Sequence, residues 1–211
     1  MSPAAVSGAT LSRLDDATRS LVRLAAVLAA GTDEQVREQL QSAATSTPHE
    51  WIEELLLQTY LFAGFPRTLN GMREWRRIVK APPVGQPSND ERFRDRGEET
   101  CRRVYGRMYE RLRVNIRELH PSLDDWMIEE GYGKVLSRPG LDLPRRELCI
   151  VGACAATAQD RQLQSHLHGA RNVGVSEAAM SDALETLRDV VPEARLSRAV
   201  KMWTRVRNDI H

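Results

Sequence analysis

The chain has 211 residues, 41% of them hydrophobic, which is enough apolar material for one sizeable core or two small ones. Its 30 basic and 29 acidic side chains give a formal net charge of +1, so no global field attracts nucleic acid or a membrane surface. No apolar run approaches the roughly 18–20 residues of a membrane-spanning helix, and no basic segment precedes the apolar stretch 21–30 as it would in a signal peptide. Three cysteines, an odd number without framework spacing, are typical of buried thiols in a reducing compartment. We therefore expect a cytoplasmic protein that binds neither nucleic acid nor a membrane.

Segments rich in Ala, Leu, Arg and Glu, with few interior glycines or prolines, predict an all-α chain. In chain order the predicted helices cover residues 12–30, 34–45, 49–63, 67–80, 92–119, 122–131, 144–158, 160–173, 177–191 and 193–208. Pro48, Pro144 and Ser176 are typical of helix starts, and Gly174 is typical of a helix end.

Two stretches interrupt this helical pattern. Residues 81–90 contain three prolines and a glycine, which a helix does not accommodate, and residues 137–144 form a second break. Between them, residues 91–119 interleave arginine with glutamate over an apolar stripe at helical spacing. This balance indicates a solvated face above a core stripe, or a subunit contact, rather than a phosphate-binding surface.

The two ends of the chain resemble each other at an offset of 127 residues. Arg19-Ser-Leu aligns with Arg146-Glu-Leu, and Gln39-Leu-Gln-Ser-Ala43 aligns with His166-Leu-His-Gly-Ala170. Helix lengths and turns stay in step, which predicts an internal duplication of a four-helix unit. The predicted organisation is a first unit at 12–80, a linker with a helical insert at 81–142, and a second unit at 143–208.

Glu147 and His166 form the combination best suited to catalysis. They lie on consecutive predicted helices joined by a tight polar turn, and at about 1.5 Å of rise per residue they differ by about 6 Å in height along an antiparallel pair. The two side chains can therefore converge on one small substrate, where a carboxylate fixes the tautomer of the imidazole and suits it to proton transfer. Arg146 or Arg138 could anchor a substrate carboxylate through a bidentate pair.

Each of these assignments has a structural alternative. Glu147 and His166 could be a satisfied buried ion pair between helices. Arg146 could be a solvated residue of a first helical turn, and Arg138, beside Pro139, could cap a loop.

Three stretches of the chain carry recognisable motifs. Residues 54–66 end in Tyr-Leu-Phe-Ala-Gly-Phe-Pro, residues 137–142 read Ser-Arg-Pro-Gly-Leu-Asp, and residues 166–176 read His-Leu-His-Gly-Ala-Arg-Asn-Val-Gly-Val-Ser. With Arg146-Glu-Leu and the earlier Arg96-Gly-Glu, they resemble the carboxymuconolactone decarboxylase family. The resemblance covers most of residues 93–191 well and residues 16–80 more loosely. It implies an AhpD-like helical bundle of two tandem repeats of about four helices with a helical insert between them. It also implies a homo-oligomer, most simply a trimer that imitates the hexamer of single-repeat members.

The same superfamily includes AhpD-like alkylhydroperoxidases, which place Cys-x-x-Cys ahead of the histidine. In register with His166 those positions are Gln159 and Gln162, which cannot form a thiolate or a disulfide. Cys149 and Cys154 are five residues apart on one predicted helix and point roughly 140° away from each other, so they cannot replace the motif. Thiol peroxidase activity is therefore not expected.

The resemblance implies a cofactor-free lyase or isomerase that acts on a small carboxylated or lactone-type substrate, with no metal. In such a decarboxylation His166 would protonate the dienolate left by carbon dioxide, and Glu147 would orient it. Ser20 and Gln39 replace this pair in the first unit, so we expect one composite site per chain.

The expected walls of that site come from both units. Tyr60, Phe62 and Phe65 would contribute from the first unit, although these aromatics could also be plain core. Tyr132 and Leu136 stand where typical decarboxylases carry tryptophans, which alters the pocket lining. The alternative to an enzyme is a non-catalytic oligomeric scaffold or small-molecule-binding protein that retains the fold. An open pocket around the pair would favour the enzyme, and a pair sealed in the core would favour the scaffold.

Overall fold

The computed structural model describes residues 10–83 and 92–209, and residues 84–90 of the predicted linker lie outside the described residues. The helices are α1 (Asp16–Ala30), α2 (Asp33–Ser46), α3 (His49–Val79), α4 (Phe93–Tyr105), α5 (Tyr109–Leu119), α6 (Pro121–Trp126), α7 (Leu143–Thr157), α8 (Asp160–Asn172), α9 (Glu177–Thr186) and α10 (Glu193–Asn208). A 3₁₀ turn (Gly106–Met108) separates α4 from α5, and a π-helix (Met127–Leu136) follows α6. Within the described residues the extended pairing amounts to one isolated bridge between Leu11 and Val175, so the predicted all-α fold is confirmed.

Helix α7 lies at the centre of the bundle. It packs against α1 along its length and against α8 on another side, while α1 also packs against α2 and α3. The backbones of α1 and α7 approach closely, because a Cβ atom added at Gly152 would lie 2.9 Å from the carbonyl oxygen of Val22. One apolar core joins α4 and the π-helix to α7–α10, and a second joins α1–α3 to the other face of α7.

Local sequence accounts for where several helices begin. The Asp15 side chain accepts a hydrogen bond from the Thr18 backbone N–H at 2.7 Å, and Asp142 accepts one from the Arg145 backbone N–H at 2.9 Å. Ser176 does the same for α9, as its position predicted. Such caps satisfy backbone donors that the first turn leaves free, and each is worth about 1 kcal/mol.

One predicted helix is divided in the structure, and one predicted helix break is present. The predicted helix 92–119 is broken at Gly106, whose φ of 53° a residue with a side chain adopts only at a cost. Asn172 of α8 holds this break, because its side-chain amide donates to the Val104 carbonyl at 2.8 Å. The predicted break between helices 49–63 and 67–80 is present, because α3 consists of two helical segments that meet at Gly64, whose φ of 80° and ψ of 168° are not helical.

The π-helix was not predicted, and it packs backbone to backbone on α4. A Cβ atom added at Gly97 would lie 2.1 Å from the Ile128 carbonyl oxygen, and one added at Gly133 would lie 2.1 Å from the Phe93 carbonyl oxygen. The wider π turn is closed by bonds such as Ser137 N–H to the carbonyl of residue 132, at 2.9 Å. This arrangement sets the position of the side chains that the π-helix sends toward α7.

Candidate active site

Glu147 is held inside the bundle by the helix that carries it. Most α7 side chains are buried, because α1 and α8 cover the helix on two sides. Glu147 itself is 0% exposed. Because a buried carboxylate is costly unless it is hydrogen-bonded, the partners of Glu147 decide what it can do.

The partner of Glu147 is His166 on the next helix. α7 ends at Ala158 in left-handed backbone (φ 57°), and the chain turns directly into α8. His166 Nδ1 then lies 2.8 Å from Glu147 Oε2, and the histidine is 5% exposed. The structure thus brings together the two residues singled out from the sequence.

This contact assigns different roles to the two ring nitrogens. Because a carboxylate oxygen lies at hydrogen-bonding distance, Nδ1 carries the ring proton and donates a hydrogen bond to Glu147. Nε2 has no hydrogen-bond partner among the described residues. It is therefore the nitrogen available to exchange a proton with a bound molecule.

The other oxygen of the carboxylate, Glu147 Oε1, is buried without a hydrogen-bond partner within the described chain. Leaving such an acceptor unsatisfied costs about 1–3 kcal/mol or more for a charged group. Gly169 makes room for the carboxylate, because a Cβ atom added there would lie 2.7 Å from Glu147 Oε2 and 2.7 Å from Val104 Cγ1. The site is thus built around a carboxylate that the protein itself satisfies only in part.

Aromatic rings flank the imidazole of His166. The Phe62 ring lies edge-on with its centroid 5.8 Å from that of His166, and the Tyr105 ring lies at 6.5 Å on α4. Tyr105 is in turn hydrogen-bonded to Tyr132 of the π-helix, with ring centroids 6.1 Å apart. The imidazole is therefore held between Phe62 of α3 and Tyr105 of α4.

The acidic groups around the pair remain protonated at neutral pH. Burial, with the charge of Glu147 adding to it, raises the pKa of Cys154 to about 12. Burial likewise raises the pKa of Cys101 to about 12. The pKa values of Tyr105 and Tyr132 are also raised, mainly by burial and further by neighbours that include Glu147. These thiols and phenols add no negative charge beside the Glu147 carboxylate.

Arg146 and Arg138 are held by Glu54 of α3 instead of facing the Glu147–His166 pair. Arg146 is 0% exposed, and its guanidinium donates to Glu54 Oε2 at 2.8 Å and to Gln58 Oε1 at 3.3 Å. Arg138 forms a bidentate pair with the same carboxylate, at 2.9–3.1 Å. In this chain Glu54 is therefore the carboxylate partner of both arginines, and their role as substrate anchors stays a prediction.

The remaining predicted site residues differ in how close they lie to the Glu147–His166 pair. Tyr132 is buried and reaches the site through Tyr105, as described above. Tyr60 stacks on Phe65 with centroids 4.5 Å apart, and Phe65 is 60% exposed at the kink of α3. Of Tyr60, Phe62 and Phe65, Phe62 is the residue whose ring contacts the His166 ring.

Three cavities of the described chain do not have Glu147 or His166 in their linings. The largest of these three, about 780 Å³, lies between the end of α4, α5 and α8 and is lined by Tyr105 and by Ser165, the residue before His166. A space of about 10 Å³ lies beside Phe62, and one of about 350 Å³ lies between α1, α2 and α3. The pair is thus covered in this chain, one side chain away from a large cavity.

Three residues of the site were missed by sequence reasoning. Tyr105 belonged to the apolar stripe of residues 91–119, and nothing in that stripe distinguished it from core. Gly169 stands three residues after His166, in the motif itself, where a glycine on a buried helix face signals a close approach. Glu54 had no signal, because its two arginine partners lie 84 and 92 residues away.

The described residues contain no group of three His, Cys, Asp or Glu side chains arranged to hold a metal ion. Among the same residues, no helix is long and apolar enough to cross a bilayer.

Comparison with known proteins agrees with this geometry. Residues 121–204 match the model of the carboxymuconolactone decarboxylase family, a region that runs from α6 into α10 and contains both Glu147 and His166. The chain is also 28% identical over 152 residues to "Peroxisomal protein 2" of Schizosaccharomyces pombe (strain 972 / ATCC 24843), an alignment that covers 67% of this chain and 69% of that protein. Over residues 121–204, this chain is therefore similar to the carboxymuconolactone decarboxylase family.

Proposed function

We propose that the protein is a cofactor-free acid–base enzyme, a lyase or isomerase that acts on a small carboxylated or lactone-type substrate. The observation that carries this proposal is the buried Glu147–His166 pair, with Nδ1 bound at 2.8 Å and with Glu147 Oε1 lacking a partner among the described residues. A purely structural pair would gain stability by satisfying both oxygens, so the unsatisfied oxygen supports a role toward a ligand.

In the proposed reaction the bond between the carboxyl carbon and the ring breaks, and its electron pair passes into a dienolate. His166, which is doubly protonated before this step, donates the proton on Nε2 to the dienolate and becomes the neutral Nδ1–H ring. Nε2 then regains a proton from solvent. Glu147 holds Nδ1–H throughout and stabilises the doubly protonated ring. In an isomerisation Nε2 would remove a proton from one carbon of the substrate and return it to another.

We propose that one site forms per chain and that the first unit supplies part of its wall. The edge-on contact of Phe62 with His166 supports this arrangement. Ser20 and Gln39, at the aligned positions of the first unit, carry neither a carboxylate nor an imidazole.

We also propose that units 12–80 and 143–208 arose by duplication, joined by the insert at 81–142. The starts of α1 and α7 are 127 residues apart, and so are the starts of α2 and α8. Thr18 accepts a hydrogen bond at 2.8 Å from Arg145, the residue that aligns with it at this offset. A contact between equivalent positions supports a two-fold relation between the units.

The later helices keep the correspondence with one extra residue in the second unit. α3 and α9 begin 128 residues apart, and buried Trp75 and Trp203 are separated by the same interval. Arg67 donates to the carbonyl of Gly31 at the end of α1, and Arg195 donates to a carbonyl in the last turn of α7. Each arginine therefore satisfies a backbone carbonyl at the C-terminal end of the first helix of its own unit.

A homo-oligomer, with a trimer as its simplest form, remains our proposal for assembly. Large apolar side chains at the surface support it, among them Phe65, Leu119 and Trp126, which are 60%, 73% and 61% exposed. Sedimentation equilibrium tests it, because a trimer has three times the mass of the 23.8 kDa chain. A monomer at micromolar concentration would contradict it.

A cytoplasmic location also remains a proposal, and it rests on composition. The similar fission-yeast protein has a name that places it in the peroxisome. Imaging of a fluorescent fusion in the native cell distinguishes the two locations.

The second candidate function is the non-catalytic scaffold or small-molecule-binding protein. It is favoured by one observation, the near-complete burial of Glu147 and His166 away from the linings of the main cavities. Under this reading the pair stabilises the α7–α8 hairpin and no turnover occurs.

The experiment that decides between them measures proton exchange and carbon dioxide release on a panel of small carboxylactones and lactones in D₂O. His166→Ala and Glu147→Gln are compared with His49→Ala, a matched histidine that lies against Trp75. We expect the first two variants to lose turnover at unchanged oligomer size and the third to keep it. Wild-type inactivity across the panel, or loss of the oligomer in His166→Ala, would favour the scaffold.

A further inference from the structure

The break between α4 and α5 opens a cavity of about 780 Å³, the α4–α8 cavity, which is bounded by the end of α4, the 3₁₀ turn, α5, α8 and Asp209. Its volume is in the range of small-molecule sites. The cavity depends on the left-handed Gly106 and on the hydrogen bond from Asn172 to the Val104 carbonyl, because an uninterrupted helix would carry α5 in another direction. We infer that this cavity binds small organic carboxylates with an apolar body.

The charges that line the cavity favour an anion. Among the described lining residues, Arg107, Arg111 and Arg171 contribute three guanidinium groups, against the one carboxylate of Asp209. Arg111 makes no hydrogen bond or ion pair with the described residues. Arg171 binds the Val206 carbonyl through one nitrogen, which fixes its position and leaves other N–H groups for a ligand. Arginine donors of this kind match the geometry of a carboxylate.

The rest of the lining favours an apolar body on the same ligand. Val104, Tyr105, Met108 and Leu112 supply an apolar wall, and Met108 is 44% exposed there. A ligand with a charged end and a hydrocarbon or aromatic end satisfies both parts of the lining.

The cavity adjoins the Glu147–His166 pair through a wall one side chain thick. Tyr105 lines the cavity on one side and lies 6.5 Å from the His166 ring on the other. Val104 likewise lines the cavity and reaches the Gly169 position that borders Glu147. A ligand in the cavity therefore shields His166 from reagents, and Tyr105 limits access to it. This step from the cavity to the pair rests on the proposed function, whereas binding in the cavity does not.

Calorimetric titration with 2-naphthoate and with the uncharged 2-naphthamide tests the binding. We expect naphthoate to bind wild type and to bind Arg111→Gln about tenfold more weakly, because one charged donor is lost. Naphthamide should bind weakly to both proteins. The control is Arg103→Gln, which removes the same charge from an exposed α4 position outside the lining and should bind naphthoate like wild type.

A second measurement reports on the link to the pair. Carbethoxylation of His166 by diethyl pyrocarbonate, followed by peptide mass spectrometry, should be faster in Tyr105→Ala than in wild type and slowed by naphthoate in both. His166→Asn should keep naphthoate affinity while losing turnover, so failure of the proposed chemistry leaves the cavity result intact. Absence of naphthoate binding to wild type, or equal affinity in Arg111→Gln, would overturn the inference. Modification of His166 that naphthoate does not slow would overturn the link between cavity and pair.

Discussion

Gly169→Ala tests the architecture of the site more directly than removal of either polar residue. The added methyl group would lie 2.7 Å from Glu147 Oε2 and 2.7 Å from Val104 Cγ1, well inside van der Waals contact. Val104 and Glu147 are both fully buried, so the methyl group fits only if at least one of these side chains moves. We expect the carboxylate to move, and its displacement breaks the 2.8 Å contact with His166 Nδ1.

The magnitude follows from two opposing effects. Overpacking a filled site costs about 1–3 kcal/mol, and replacing glycine by alanine in a helix returns up to about 1 kcal/mol. We therefore expect the free energy of unfolding of Gly169→Ala to fall by about 0–3 kcal/mol. Gly131→Ala is the matched control, because no described atom lies within 4 Å of its added methyl group. Relative to that control, the loss should be about 1–3 kcal/mol.

Urea denaturation measures the stability of both variants, and long-range ¹H–¹⁵N correlation measures the tautomer of His166. We expect the Nδ1–H form in wild type and in Gly131→Ala, and its loss in Gly169→Ala. If Gly169→Ala were as stable as Gly131→Ala and kept the Nδ1–H form, the proposed packing of Glu147 against α8 would be wrong.

Three further predictions concern the surroundings of the site. Gly133→Ala should lower the free energy of unfolding, measured by urea denaturation, by about 3 kcal/mol or more, because its methyl group would lie 2.1 Å from a backbone carbonyl oxygen that cannot rotate away. A decrease of less than about 1 kcal/mol would contradict the close packing between α4 and the π-helix. Asp124→Asn should cost about 3 kcal/mol at pH 7, because it leaves Arg113 without its buried carboxylate. The hydrogen bond from Arg113 lowers the pKa of Asp124, so this stabilisation is present above the ordinary carboxyl pKa of about 3.9 and is lost as the pH falls through the folded-state pKa. A difference in the free energy of unfolding between wild type and Asp124→Asn that persists at pH 2 would refute the assignment. Burial raises the pKa of each cysteine to about 12, so iodoacetamide at pH 8 should label none of the three in the native protein and all of them in urea, and rapid native labelling would show that a thiol is accessible.

Local sequence signals accounted for much of the fold. Helical periodicity and capping residues such as Asp142 and Ser176 act within one or two turns, so the positions of most helices could be read from the chain. The break at Gly106 and the π-helix could not, because both depend on contacts with other helices. Gly106 is held by Asn172 from α8, and the π-helix is shaped by its backbone contact with Gly97 of α4.

Part of the candidate site, like part of the fold, could be predicted from the sequence. The sequence by itself determined that Glu147 and His166 would meet, because two helices joined by a short turn leave little freedom in their relative height. It also determined that glutamines stand where a thiol peroxidase needs cysteines.

Tertiary structure alone decided which other groups reach the pair. Arg146 could have been a substrate anchor or a solvated first-turn residue, yet it is buried in the core against Glu54, 92 residues earlier. Tyr105 looked like core, yet it lies between His166 and the α4–α8 cavity of about 780 Å³. Partners of this kind are fixed by packing between distant segments, whose relative positions no local pattern encodes.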